Sequence, residues 1–220
     1  MNRLVIWDFD GTAVDTITDV ALSFNEALRS NGFPEHPLRA FDRFVGGDLE
    51  TVVSRMLPHG QITEDNIVQV KTLYRKIYLA SDKPNTKPYP GVMELMCELK
   101  EKGYRQAINS NKGQVLLDDM VSRMFPLGFF DAVVGYEESR PSKPDPYGVQ
   151  MICQHCEMDI VDAVYIGDGK SDIATAANAS IPCVFVTWGQ GKPEDRNDVR
   201  IACVVENSDQ LRNALLTWKW

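Results

Sequence analysis

Near its start the chain carries an unbroken apolar run, Leu4-Val5-Ile6-Trp7. A run without polar alternation predicts a strand buried on both faces, as in a parallel sheet. The pattern then changes to helical spacing. Ile17, Val20, Ala21, Phe24, Ala27 and Leu28 share one helical stripe, and Gly32 suits its stop. Leu49, Val52, Val53, Met56 and Leu57 form a second stripe, ended by Pro58. Thr63 can cap a third helix bearing Ile67, Val70, Tyr74, Ile77 and Tyr78. Ser81 to Pro90 is polar and proline-rich and reads as a linker.

From Gly91 helices and strands alternate. Val92, Leu95, Met96 and Leu99 mark a helix closed by Gly103, and Tyr104 to Asn109 reads as a strand. A helix over about Val115 to Phe125 leads to a short strand at Ala132 to Val134. After a loop from Glu137 to Asp145 a helix runs to about Cys156. Strands follow at Ala163 to Ile166, Cys183 to Val186 and Ala202 to Val205, with helices at Ser171 to Asn178 and after Ser208. This rhythm predicts an α/β core, a doubly wound parallel sheet with helices on both faces.

The first two core strands lie nearly a hundred residues apart, whereas a βαβ unit needs only about thirty. The surplus is a small all-helical insertion. The expected division is residues 1–14 with 87–220 as the core, and residues 15–86 as the helical domain. Since the insertion leaves and returns near the carboxyl end of the first strand, it is expected to act as a lid there.

Four segments fall just beyond strands or in the loops after them. They are Asp8 and Asp10 in Asp8-Phe-Asp-Gly-Thr12, Ser110-Asn111, Lys143 in a proline-rich loop, and Asp168 with Asp172 in Gly-Asp-Gly-Lys-Ser-Asp. Loops at the carboxyl ends of a doubly wound sheet converge on one crevice. Four aspartates gathered there would repel strongly, and a hard divalent cation such as Mg²⁺ relieves this. Lys143 supplies a fixed cation for a transferring anion. Ser110 and Asn111, with nearby backbone N–H groups, can hold phosphate oxygens. Together these suit phosphoryl transfer. By themselves they do not say which aspartate attacks.

Composition narrows the partners. The 220 residues carry a formal net charge of -8, which argues against nucleic acid or an anionic membrane as the main partner. Five cysteines at irregular spacing suggest free thiols in a reducing compartment, and no secretory leader is read at the start, so a cytoplasmic setting is expected. Cys153-Gln-His-Cys156 lacks a second ligand pair, so zinc is not expected there. His36 and His59 are expected in solvated loops, and Trp188-Gly189 as packing or a turn, or else at the rim of the crevice. Trp218 and Trp220 are expected to pack on the core or on a partner.

In order and kind, the four segments resemble the haloacid dehalogenase superfamily of phosphohydrolases. The similarity is to its phosphoglycolate phosphatase-like and β-phosphoglucomutase-like branch, which carries a helical cap after the first strand of a Rossmann-like core. The resemblance spans nearly the whole chain. It implies Asp8 as the nucleophile that becomes an aspartyl-phosphate and Asp10 as general acid and then base. It implies phosphate binding by Ser110, Asn111 and Lys143. The metal would be Mg²⁺, held by Asp8, the backbone carbonyl of Asp10, Asp168, and Asp172 directly or through water. The implied partner is a small phosphorylated metabolite, and the assembly a monomer or homodimer.

Ala13 stands where this branch usually has a larger aliphatic, and Gly169 where many members have Ser. Asp10 argues against a haloacid dehalogenase proper, and the lack of any Lys before Lys71 argues against a phosphonatase. Thr12 favours hydrolysis over a sugar-phosphate mutase. The mutase and a non-catalytic phosphate- or partner-binding module remain the alternatives. Phe44-Val-Gly46-Gly47 looks like the family's specificity loop or else a plain turn. Arg43 and Arg55 are candidates for a substrate carboxylate or second phosphate, or else surface arginines.

Overall fold

The computed structural model describes residues 3–217; Trp218 and Trp220 lie outside them. The chain divides into two compact units, Met1–Asp15 with Pro88–Trp220, and Thr16–Lys87. In chain order the first elements are β1 (Leu4–Trp7), β2 (Val14–Asp15), α1 (Ile17–Ser30), α2 (Phe41–Phe44), α3 (Leu49–Met56), α4 (Glu64–Ala80) and β3 (Lys87–Pro88). There follow α5 (Val92–Glu101), β4 (Arg105–Gly113), α6 (Gln114–Met124), β5 (Ala132–Tyr136), α7 (Tyr147–His155) and β6 (Ala163–Gly167). The last are α8 (Lys170–Asn178), β7 (Cys183–Val186), β8 (Ile201–Val205) and α9 (Ser208–Thr217).

The larger unit is built on a six-stranded sheet of order β5-β4-β1-β6-β7-β8. Its strand pairs are parallel, and helices connect most of the strands, giving the α/β architecture the alternation predicts. β1 lies at the centre, paired with β4 on one side and β6 on the other. All four β1 side chains are fully buried. At roughly 1.5–3 kcal/mol for each large apolar side chain, this burial anchors the strand from which the site hangs. Strand order reverses beside β1, so its carboxyl end is a topological switch point, where such sheets bind ligands.

The sequence pattern misjudged β4. It runs on through Ser110-Asn111-Lys112 to Gly113, past the expected end at Asn109. The register against β5 shifts between Asn109 and Gly113. Such an irregularity re-aims side chains at a sheet rim without ending the pairing. Cys153, Cys156 and Cys183 pack in the apolar cluster around Leu4, Ile6 and Tyr165.

In the helical unit the Phe24 and Tyr74 rings of α1 and α4 stack at 3.7 Å, with Tyr78 next to Tyr74. Asp48 caps α3 by accepting the Thr51 N–H at 2.8 Å, and Thr63 caps α4. His36 is not simply solvated. Its Nε2 lies 2.8 Å from the Met56 carbonyl oxygen, and its ring meets Phe44 edge-on.

Candidate active site

The site lies in the larger unit and is assembled at the ends of β1, β4, β5, β6 and β7 and in the loops after them. Beyond β1 the ladder continues for one residue, where the Asp8 N–H donates to the Ile166 carbonyl at 2.8 Å. The chain then turns through Gly11, whose φ is +81°. A Cβ at Gly11 would lie 2.6 Å from Asp168 Oδ2. Glycine is therefore needed both for the turn and for the close approach of the backbone to Asp168.

Asp8, Asp168 and Asp172 are brought together, each offering a carboxylate oxygen within 4.8 Å of the others. Lys143 Nζ lies 2.7 Å from Oδ1 of Asp8 and 2.7 Å from Oδ1 of Asp172. Asp8 Oδ1 also accepts the Phe9 N–H at 2.7 Å, and its Oδ2 takes neither bond. Asp172 lies in the first turn of α8, where its Oδ2 accepts the Gly169 N–H at 3.0 Å; a carboxylate is favoured at a helix N-terminus. Asp168 accepts the Thr12 hydroxyl on Oδ1 at 3.0 Å, and the N–H groups of Gln190 and Gly191 on Oδ2 at 2.8 and 3.1 Å.

The electrostatics follow from three buried acids facing one cation. Burial, and then Asp172, raise the Asp8 carboxyl well above the usual range. The same two causes push Asp168 up to about 7. Burial alone would lower the Lys143 ammonium, but Asp172 and Asp8 outweigh it and hold Lys143 charged. Two unit charges about 4 Å apart in a medium of effective dielectric ~20 interact by about 4 kcal/mol. A single lysine cannot neutralise three carboxylates at that scale. The donors are all hard oxygens, with no thiol or imidazole among them. That donor set fits a hard divalent cation and disfavours zinc.

Not every expected residue sits as the sequence suggested. The Asp10 side chain is outside the three-carboxylate group. Its two oxygens lie 2.8 and 3.0 Å from Lys112 Nζ. Ser110 is buried and accepts the Lys112 N–H at 3.2 Å. Among the described residues its own hydroxyl has no acceptor, which leaves that donor for an anion. The Asn111 amide is engaged by the backbone of Lys143. Nδ2 donates to the Lys143 carbonyl at 3.1 Å, and Oδ1 accepts the Lys143 N–H at 2.9 Å. This two-point bracket makes Asn111 a support for Lys143.

Lys112 escaped the sequence reading. The available signal was a cation two residues past Ser110, in the same loop as one of the four segments. The Gln190 and Gly191 N–H groups also escaped, because backbone donors leave no mark in residue type.

Within the helical unit, the Arg55 guanidinium donates to the Phe44 and Gly46 carbonyls at 2.9 and 2.8 Å. Gly46 and Gly47 are exposed, with φ of +96° and +95°. Arg43 is exposed on α2 and has no ion-pair partner among the described residues.

Fold and site together define a doubly wound α/β protein with a buried cluster of acids at the switch point of its sheet. The chain matches the haloacid dehalogenase-like hydrolase family over residues 5–186, and it belongs to that family. It is 30% identical to the phosphoglycolate phosphatase of Nitrosospira multiformis, covering 86% of each chain. It is 29% identical to that of Pseudomonas putida, covering 89% of this chain and 74% of the other. Among solved structures, one from Lactobacillus delbrueckii subsp. bulgaricus superposes with a TM-score of 0.89 at 25% identity, covering 97% of this chain and 98% of the other. Phosphoglycolate phosphatase is the predicted activity of that protein. The chain is an enzyme of this family, a phosphatase acting on phosphoric monoesters.

Proposed function

We propose that this phosphatase hydrolyses a small phosphate monoester, with phosphoglycolate as the leading substrate, through an aspartyl-phosphate on Asp8. The observation that carries the reading is the meeting of Asp8, Asp168 and Asp172 around Lys143 at the switch point of the sheet. Phosphoglycolate comes from the names of the relatives. In this reading Asp8 attacks the phosphorus through the oxygen that Lys143 and the Phe9 N–H leave open. Asp10 donates a proton to the departing ester oxygen, then takes one from the water that cleaves the aspartyl-phosphate. Ser110 donates its hydroxyl to a phosphoryl oxygen. Lys143 offsets negative charge on Asp8 and on the phosphoryl group.

Asp8, Asp168 and Asp172 would hold Mg²⁺, together with the Asp10 carbonyl. When bound, Mg²⁺ lowers the repulsion between the carboxylates and the incoming phosphate dianion. Asn111 keeps Lys143 at its post. The Gly46-Gly47 loop and Arg43 are assigned to substrate selection.

The test is phosphate release from a panel of small esters, including phosphoglycolate and sugar phosphates, in Mg²⁺ and in EDTA. Strong metal-dependent release from phosphoglycolate, lost in Asp8→Asn, is expected. Phosphoryl exchange within a sugar phosphate without net release would replace this reading with the mutase.

A further inference from the structure

Asp168 is gripped on both oxygens by segments far apart in sequence. Thr12, just past β1, donates its hydroxyl to Oδ1. Gln190 and Gly191, just past β7, donate their N–H groups to Oδ2. The loop carrying those groups is itself tied down. Trp188 Nε1 donates to the Thr12 carbonyl at 3.1 Å, and the Gln190 amide donates to the Tyr89 hydroxyl at 3.3 Å. The Tyr89 and Trp188 rings lie 6.2 Å apart.

At positions 189 and 191 there is space only for glycine. A Cβ on Gly189 would lie 2.2 Å from the Gly11 carbonyl and 2.3 Å from Asp168 Oδ2. A Cβ on Gly191 would lie 1.6 Å from the Asp168 carbonyl oxygen. The loop is pressed against both the backbone and the carboxylate of Asp168.

We propose that Thr12 and the Trp188–Gly191 loop form a clamp that orients Asp168 and thereby sets the affinity of the site for its divalent cation. The clamp rests on the reading of Asp168 as a cation ligand. A carboxylate has roughly four acceptor positions. Three donors occupy three of them, so one direction is left for a cation. Thr12 and Trp188-Gly189-Gln190-Gly191 are therefore positioning residues that act through Asp168. Removing a group that orients a metal ligand typically weakens metal binding by about 10- to 100-fold.

The experiment is Mn²⁺ binding by the whole enzyme, followed by electron paramagnetic resonance, with kcat measured across metal concentration. In Gly189→Ala the Kd for Mn²⁺ is expected to rise about tenfold. Trp188→Phe, which keeps a ring but loses the Nε1 donor, should show a smaller rise. Thr12→Val should weaken binding, and Thr12→Ser should restore it. In each weakened variant kcat should recover toward the parent value at saturating metal, which separates lost metal affinity from lost chemistry. If Gly189→Ala does not fold, Trp188→Phe and Thr12→Val decide. Folded variants that bind Mn²⁺ like the parent, while Asp168→Asn binds weakly, would overturn the clamp alone. Parent-like binding by Asp168→Asn would overturn the cation reading and the clamp with it.

Discussion

Each unit of the chain buries acid, and the two treat it in opposite ways. In the helical unit Asp19, on the first turn of α1, is nearly inaccessible. Its Oδ2 accepts the Asn85 N–H at 3.0 Å and the Thr86 hydroxyl at 2.7 Å, and its Oδ1 accepts the Asn85 amide at 2.8 Å. These bonds fasten the 85–86 segment to the helix, and among the described residues Asp19 joins no cluster of three acids. In the sheet unit three buried carboxylates share one lysine, and Asp8 and Asp168 are held above the usual range. Asp19 and Asp168 each accept three donors, so it is the crowding of acids, and not hydrogen bonding, that separates the two sites. The three crowded acids around one ammonium are left short of positive charge, a need that a bound cation would meet.

The largest effect that would sharpen this contrast comes from Asp8→Asn. The change is nearly isosteric and removes one of three crowded charges, so the fold should be as stable as the parent or more so. Turnover should fall by at least about 10⁴-fold, the scale for loss of a nucleophile. Paired melting curves and phosphate release check both halves. A large loss of stability would mean that Asp8 resembles Asp19 after all.

Lys143→Met should break the site from the other side. It leaves the carboxylates without their cation, and stranding buried charge costs about 3–5 kcal/mol. At about 2–4 °C per kcal/mol for a chain of this size, the melting temperature should drop visibly in EDTA. Mg²⁺ should restore part of it. Asp19→Ala is the control. Leaving the donors of Asn85 and Thr86 without their acceptor should cost about 1–3 kcal/mol. In that variant Mg²⁺ should restore nothing beyond what it gives the parent, and turnover per folded molecule should be unchanged. Rescue of Asp19→Ala by Mg²⁺ would erase the contrast.

The meeting of Asp8, Asp168 and Asp172 was legible in the sequence, while the bonding of Asp19 was not. Asp8, Asp168 and Asp172 stand at fixed offsets from apolar strands, and strand ends in a doubly wound sheet converge. Asp19 lies within an ordinary helical stripe, and its partners Asn85 and Thr86 sit more than sixty residues away in a polar linker. Only folding pairs them. The end of β4 was misjudged for a related reason. The residues from Ser110 to Lys112 look like turn residues, yet they continue the strand through an irregular register. The donors on Asp168 are largely backbone groups, to which side-chain pattern is blind.

A smaller effect concerns pH and metal together. Asp168 is raised to about 7 from an ordinary 3.8. Between those values the folded chain keeps a proton that the unfolded chain has released, so folded stability from this group falls as pH rises through the window. Burial and Asp172 shift Asp8 in the same direction. A bound cation takes the place of that proton. The rise in melting temperature on adding Mg²⁺ should therefore be larger at pH 8 than at pH 5, measured against EDTA at each pH. An equal rise at both would show that the acids are not left short of positive charge.

The smallest effect separates two jobs for Arg55. Its guanidinium spans the carbonyls of Phe44 and Gly46, and it is exposed. The bonds are thus worth about 1 kcal/mol of stability in Arg55→Ala. Their consequence is geometric, because Gly46 and Gly47 otherwise leave the loop free to change shape. A residue that only shapes this loop should raise KM modestly and alike for every ester the enzyme accepts, with kcat unchanged. A residue that grips the far end of the substrate would raise KM for esters bearing a carboxylate and spare those ending in a hydroxyl. The structure favours the first outcome, since the arginine already has two close backbone acceptors. The comparison of KM for phosphoglycolate and for a neutral-tailed ester of similar size, in Arg55→Ala and in the parent, decides between them.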